Sequence, residues 1–134
     1  MSDRPLNGVQ TDATPSPAIR HDLLMSAERP VRILTSDMSL AEQLRARLEL
    51  LLGCGVTILQ GIGETAPQEI VVTTTTECSP DECAGLTQSG VAVVVLAALP
   101  SNYQERSYRE AGAADYLAMS LDMGPLAGAL QSLA

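Results

Sequence analysis

The chain contains no lysine, no phenylalanine and no tryptophan, and its single histidine is His21. All eight basic residues are arginine, scattered as Arg4, Arg20, Arg29, Arg32, Arg45, Arg47, Arg106 and Arg109. They face 16 acidic residues, for a formal charge of −8. Nucleic-acid binding is therefore not expected, because phosphate contacts need clustered Arg and Lys. No apolar run approaches the ~20 residues that span a bilayer. The first residues also lack the basic start and apolar stretch of a signal peptide. No membrane role is expected, and a cytoplasmic location follows by default. Without large aromatic rings, the 46% of apolar residues must build a core of Val, Leu, Ile and Ala. That composition suits a parallel sheet covered by helices, and 134 residues suit one domain with a proper core.

Cysteine is scarce and odd in number: Cys54, Cys78 and Cys83. This usage fits a reducing compartment. The spacing of Cys78 and Cys83 matches neither a CxxC redox pair nor a common zinc motif, and only His21 could assist. Neither a metal nor another cofactor is expected, and the thiols are read as small packing residues. Cys83 near a helix start could have a lowered pKa, but Asp81 and Glu82 beside it oppose that shift. His21 has no Ser or Cys nucleophile near it in sequence and is read as solvated.

What is present is an alternation of strand and helix signals. Residues 1–30, with Pro5, Gly8, Pro15 and Pro17, read as a flexible N-terminal extension. Within it, 18–27 could form a short helix presenting Ile19, Leu23 and Leu24. The domain, 31–134, opens with a strand at Val31–Thr35. Ser39-Leu40-Ala41-Glu42 reads as a capping box before a helix that Gly53 stops. Strands follow at 55–60 and 69–75. Ser79-Pro80-Asp81-Glu82 is a second capping box with Pro at the first helical position, opening a helix that ends near Gly90. Val91–Ala98 reads as a central strand buried on both faces. Ser101-Asn102-Tyr103-Gln104 is a third capping box, with a helix to Ala111. Ala114–Ala118 is the fifth strand and Pro125–Leu133 the last helix. Tyr103 and Tyr108, five apart, need not share a face.

Strands alternating with helices predict right-handed parallel βαβ units. Five of them give an α/β, flavodoxin-like sheet of order 2-1-3-4-5. Only Gly61–Gln68 joins the second strand to the third. That link must cross a diagonal of about 20 Å. Eight extended residues reach about 27 Å, whereas as a helix they would cover about 12 Å. The second helix is therefore expected to be missing or shortened. Ile58 and Ile70 are expected to lose their cover, with the 18–27 segment or a partner chain closing the gap.

Gly112-Ala113-Ala114-Asp115-Tyr116-Leu117-Ala118-Met119-Ser120 resembles the end of a response-regulator receiver (CheY-like) domain, whose Gly-Ala-x-x-Tyr-Leu-x-Lys-Pro segment carries a lysine that pairs with phospho-aspartate. The resemblance spans roughly Val31–Leu133 and implies the same five-stranded fold. It also implies where the family's phosphorylation chemistry would lie, at the carboxyl ends of the strands. The two metal-holding acids fall on Ser36 and Asp37, so one acid survives. The phospho-acceptor falls on Thr74, within Thr73–Thr76. The hydroxyl that receives a phosphoryl oxygen falls on Ala97, and the lysine on Met119. An acyl phosphate needs a carboxylate nucleophile and Mg²⁺, and Asp37 with Glu77 uncertainly nearby makes a poor Mg²⁺ site.

The expectation is a pseudo-receiver: a non-catalytic, phosphorylation-independent module of bacterial two-component type. It would bind a protein partner or a second copy of itself. The resemblance implies the surface, through the family's fourth helix, fifth strand and fifth helix. Here those are Ser101–Glu110, Ala114–Ala118 and Pro125–Leu133, with Tyr103, Arg106, Arg109, Glu110 and Tyr116 as candidates. Arg106 and Arg109 beside Glu105 and Glu110 could pair across a two-fold axis or only within their own helix. The alternative is a small-molecule sensor with Ser36, Thr74 and Ala97 at the mouth of its pocket. A threonine modified by a kinase ranks below both, and an enzyme lower still, because no nucleophile–base pair is visible.

Overall fold

The computed structural model describes residues 29–133. The expected 18–27 helix, and all of the expected extension except Arg29 and Pro30, lie outside the described residues. The first β-branched run forms β1 (Val31–Leu34), followed by α1 (Met38–Leu52), β2 (Val56–Leu59) and a 3₁₀ turn (Ile62–Glu64). Then come β3 (Ile70–Thr74), α2 (Pro80–Gln88), β4 (Ala92–Ala97), α3 (Asn102–Glu110), β5 (Asp115–Ala118) and α4 (Gly124–Leu133). All strand pairs are parallel and the sheet order is β2-β1-β3-β4-β5, the expected 2-1-3-4-5.

Alternation along the strands divides the core in two. On one face Val31, Ile33, Val56, Ile70, Val72, Val94 and Leu96 pack under α1 and α4, against Ala41, Leu44, Leu48, Leu126 and Leu130. On the other, Leu34, Leu59, Val71, Val93, Val95 and Ala97 meet Cys83 and Leu86 of α2 and Tyr108 of α3. Burial of each such Leu or Ile is worth about 1.5–3 kcal/mol, so these two layers dominate the fold's stability.

Between β2 and β3 the chain makes only the 3₁₀ turn, so the second crossover helix is absent as expected. The expected consequence is corrected. Ile58 and Ile70 point to the face under α1, and Ile70 is fully buried there. Toward the N-terminal end of the sheet, the side chains on the helix-free side of β1 and β2 are Arg32 and Thr57. Arg32 Nε donates to Glu69 Oε2 at 2.9 Å and its Nη1 to Thr57 Oγ1 at 3.3 Å. Leu34 and Leu59 belong to the core on that side, with Ile62 of the turn packed against it. The chain has replaced a helix's apolar footprint with a polar cluster, which water can face without cost.

Two helix starts also differ in detail. The cap of α1 is Asp37, whose Oδ1 accepts from Leu40 N at 3.1 Å, rather than Ser39. Glu42, the expected reciprocal partner, pairs with Arg45 one turn on. Gly53 ends the helix with φ of 71°, as its sequence position implied. The Ser79–Glu82 capping box is complete. At α3 only half of the box forms. Ser101 Oγ accepts from Gln104 N at 3.1 Å, but Gln104 Oε1 accepts from the Tyr116 hydroxyl instead of from Ser101 N.

Candidate functional site

Ser36, Asp37, Thr74, Ala97 and Met119 come together at the C-terminal end of the sheet, because β1, β3, β4 and β5 run in parallel. Thr74 and Ala97 are buried, and Ala97 O accepts from Met119 N at 2.8 Å. Met119 packs with the α1–α4 core layer, so the position of the family's lysine feeds apolar packing. A cavity of about 20 Å³ beside it, lined by Leu96, Leu117 and Met123, has room for about one water. Of the three residues expected at the mouth of a small-molecule pocket, Thr74 and Ala97 are buried and Ser36 is exposed, and the neighbouring loops close over the strand ends.

Glu77 does much of the closing. Its Oε1 accepts from Ser36 N at 2.7 Å, joining the β1–α1 loop to the β3–α2 loop. Glu77 N in turn donates to Thr74 Oγ1 at 3.2 Å, and Cys78 N to Thr74 O at 3.0 Å. Thr73 Oγ1 donates to Leu34 O at 2.8 Å, so this threonine ties two strands together. Asp37 has one oxygen on Leu40 N, and Asp37 N donates to Thr35 Oγ1 at 3.2 Å. Among the described residues no group of three His, Cys, Asp or Glu is placed to hold a metal. Glu77 was weighed in the sequence only as a doubtful metal ligand. Its position three residues past Thr74 marks a strand-to-helix turn but not the N–H that it meets.

Next to this clamp lies a stacked tyrosine pair, with the Tyr108 and Tyr116 ring centroids 5.9 Å apart. The buried Tyr108 hydroxyl donates to Cys78 O. The Tyr116 hydroxyl donates to Gln104 Oε1 and accepts from Ser101 N at 3.3 Å. Desolvation pushes the Tyr108 hydroxyl up to about 12 and the Cys78 thiol up to about 12. Burial likewise raises Cys83, so the helix start does not activate that thiol.

On the α3 side, Tyr103, Arg106, Arg109 and Glu110 are exposed, as an interaction surface needs. Tyr116 is not part of that surface, because its ring is buried beneath α3. The two tyrosines of α3 divide as their spacing allowed, Tyr103 outward and Tyr108 inward. Arg109 is paired within its own chain, to Glu105 at 2.9 Å and Asp115 at 3.2 Å. Arg106 makes no ion pair among the described residues.

No protein-family model matches the chain, and no curated protein matches it by sequence. Solved structures do match. The Francisella response regulator 1452 receiver domain aligns over 79% of this chain and 96% of its own, with 18% identity and a TM-score of 0.67. A two-component response regulator from Clostridium difficile aligns over 79% and 95%, with 13% identity and a TM-score of 0.67. HP1043, an orphan response regulator of H. pylori, aligns over 78% and 95%, with 15% identity and a TM-score of 0.65. At these identities the likeness shows the fold, which is that of a response-regulator receiver domain. No helix among the described residues is long and apolar enough to cross a membrane.

Proposed function

We propose that this chain is a pseudo-receiver: a non-catalytic signalling module that works through protein–protein contact and without phosphorylation of an aspartate. The observation that carries the reading is the state of the strand ends. Thr74 stands where the receiver family places its phospho-acceptor, and its side chain and carbonyl are spent on the β3–α2 turn. Threonine cannot form an acyl phosphate, and Glu77 lies over Ser36 N. Mg²⁺ in phosphoryl-transfer sites usually rests on one or two carboxylates plus phosphate, and the two nearest acids here each have an oxygen engaged by backbone N–H groups. The receiver fold supports a signalling role. Its contact face on this reading is α3–β5–α4, with Tyr103, Arg106 and Glu110 outermost and Arg109 held in its internal pairs, in a cytoplasmic, bacterial setting.

Incubation with acetyl phosphate and Mg²⁺, read by intact mass, tests the reading. No added phosphoryl mass is expected, and beryllofluoride is expected to leave amide NMR shifts in place. A phosphoryl adduct would overturn it.

A further inference from the structure

Six large apolar side chains stand exposed among the described residues: Met38, Leu50, Leu51, Leu99, Tyr103 and Leu121. Leu50 and Leu51 close α1 at the N-terminal end of the sheet. The other four lie at the opposite end, where open α/β sheets take their ligands. Met38 opens α1, Leu99 lies in the β4–α3 loop, Tyr103 in the first turn of α3, and Leu121 in the β5–α4 loop. Leu99, Tyr103 and Leu121 are 87%, 81% and 84% exposed, nearly as open as in an extended chain.

Their loops are neighbours. β4 and β5 pair directly, at a spacing of about 4.8 Å, and the bond from Met119 N to Ala97 O joins the two loops where they leave the sheet. The backbone holding these side chains out is also fixed. Ser101 N is bonded to the Tyr116 hydroxyl. Arg47 Nη1 donates to Leu121 O at 3.1 Å, and Gly124 N to Asp122 Oδ1 at 2.9 Å. A groove of about 280 Å³ runs from Leu121 to Leu40 of α1. Apolar side chains presented on anchored backbone at the two loop ends and at the start of α3 are prepared rather than frayed contacts, and preorganisation lowers the entropy cost of binding.

Charge decides the occupant. The same end carries Asp37, Glu77, Asp81, Glu82 and Asp122, most of them also bonded to backbone N–H groups, against Arg47, which donates to a carbonyl, and Arg106 one turn along from Tyr103. A second copy seated face to face would oppose acid to acid, with a formal charge of −8 on each chain. A segment with cations beside its apolar side chains would be attracted and steered instead. We propose that the C-terminal end of the sheet, centred on Leu99, Tyr103 and Leu121, docks a segment of a partner protein that is apolar on one side and bears Arg or Lys on the other. This rests on the protein-binding reading above and names the chemistry of its partner.

The test uses a fluorescent synthetic amphipathic peptide of leucine and lysine, with a leucine–glutamate peptide of the same pattern as counter-probe. The full chain is expected to bind the first, more weakly as salt is added, and to ignore the second. Leu99→Ser, Tyr103→Ser and Leu121→Ser together should weaken binding roughly tenfold or more, with circular dichroism unchanged. Leu50→Ser with Leu51→Ser, at the far end, should leave it intact. Absence of binding, equal binding of the acidic peptide, or equal loss in both variants would overturn the proposal. A phosphoryl adduct in the acetyl phosphate experiment would instead remove the signalling reading and leave this measurement standing.

Discussion

Replacing Gly112 by alanine probes the most family-like segment of the chain. Gly112 has φ of 100°, a region open to glycine and strained for any other residue. A Cβ there would stand 2.8 Å from Thr87 Oγ1, 3.1 Å from its Cβ and 3.3 Å from its Cγ2. Thr87 cannot easily turn away, because its one hydroxyl proton is shared between Ala84 O at 3.0 Å and Ala111 O at 2.8 Å. The backbone conformation costs about 1–2 kcal/mol and the overpacking about 1–3 kcal/mol. Gly112→Ala should therefore destabilise by about 3 kcal/mol, lowering Tm by roughly 10–20 °C for a domain of this size. Thr87→Ala alone should cost about 1 kcal/mol through its lost hydrogen bonds. In the Thr87→Ala background the Oγ1 and Cγ2 contacts vanish and only the 3.1 Å contact with Cβ remains, so Gly112→Ala should then cost about 1–2 kcal/mol for the backbone and a reduced share for overpacking. Urea unfolding of the four proteins, with unchanged m-values, measures this cycle. Single costs that add within about 0.5 kcal/mol would show that Thr87 plays no part. A Gly112→Ala protein as stable as the parent would refute the whole argument.

Arg32→Ala leaves Glu69 without its ion-pair partner at 2.9 Å, and a midpoint loss equivalent to about 1–3 kcal/mol is expected; an unchanged urea midpoint would show that the polar cluster does not close the helix-free face. Cys78 and Tyr108 hold their protons in the fold up to about 12, against ordinary values of 9.0 and 10.0. The contribution of these two groups to stability should therefore be constant around neutral pH up to 9.0 and fall toward pH 12, as the unfolded chain releases protons that the fold retains. A flat unfolding midpoint through that window would contradict the burial of both groups.

The strand order and the lost helix were legible because each depends on chain length and on runs of Val, Ile and Leu, which local sequence displays. What could not be read were choices between equally good local partners. Asp37 and Ser39 both suit a helix cap, and only the position of Arg45 beside Glu42 favours the former. Gln104 suits a capping box, but the Tyr116 hydroxyl reaches it from a strand twelve residues away. The expectation for Ile58 and Ile70 fails because the sheet is not apolar on both sides throughout. Arg32 and Thr57, each one residue from a buried neighbour, already carried the alternation that places polar side chains over the gap. Of the candidate site, the five positions were given by the family resemblance and lie at strand ends, whereas Glu77's partner was not legible, since a carboxylate in a turn can bond to any nearby N–H.

Glu77 also bears on how a receiver fold can keep one conformation at its strand ends without a phosphoryl group. The loops after β1 and β3 are held together by a charge-assisted bond within the chain, from Ser36 N to Glu77 Oε1. Thr74 O takes the Cys78 N–H, and Cys78 O takes the Tyr108 hydroxyl. Tyr108 stacks on Tyr116, whose hydroxyl meets Gln104 and Ser101 at the start of α3. The β1–α1 loop is thus joined to α3 by bonds and packing that need no ligand. A ligand shifts an equilibrium only by its differential affinity for two states, and on the proposed reading no phospho-aspartate supplies such a difference here, since Thr74 stands at the acceptor position. On the proposed reading, the signal is carried by whether a partner occupies the apolar end of the sheet, beside Leu99 and Tyr103, where the same path terminates.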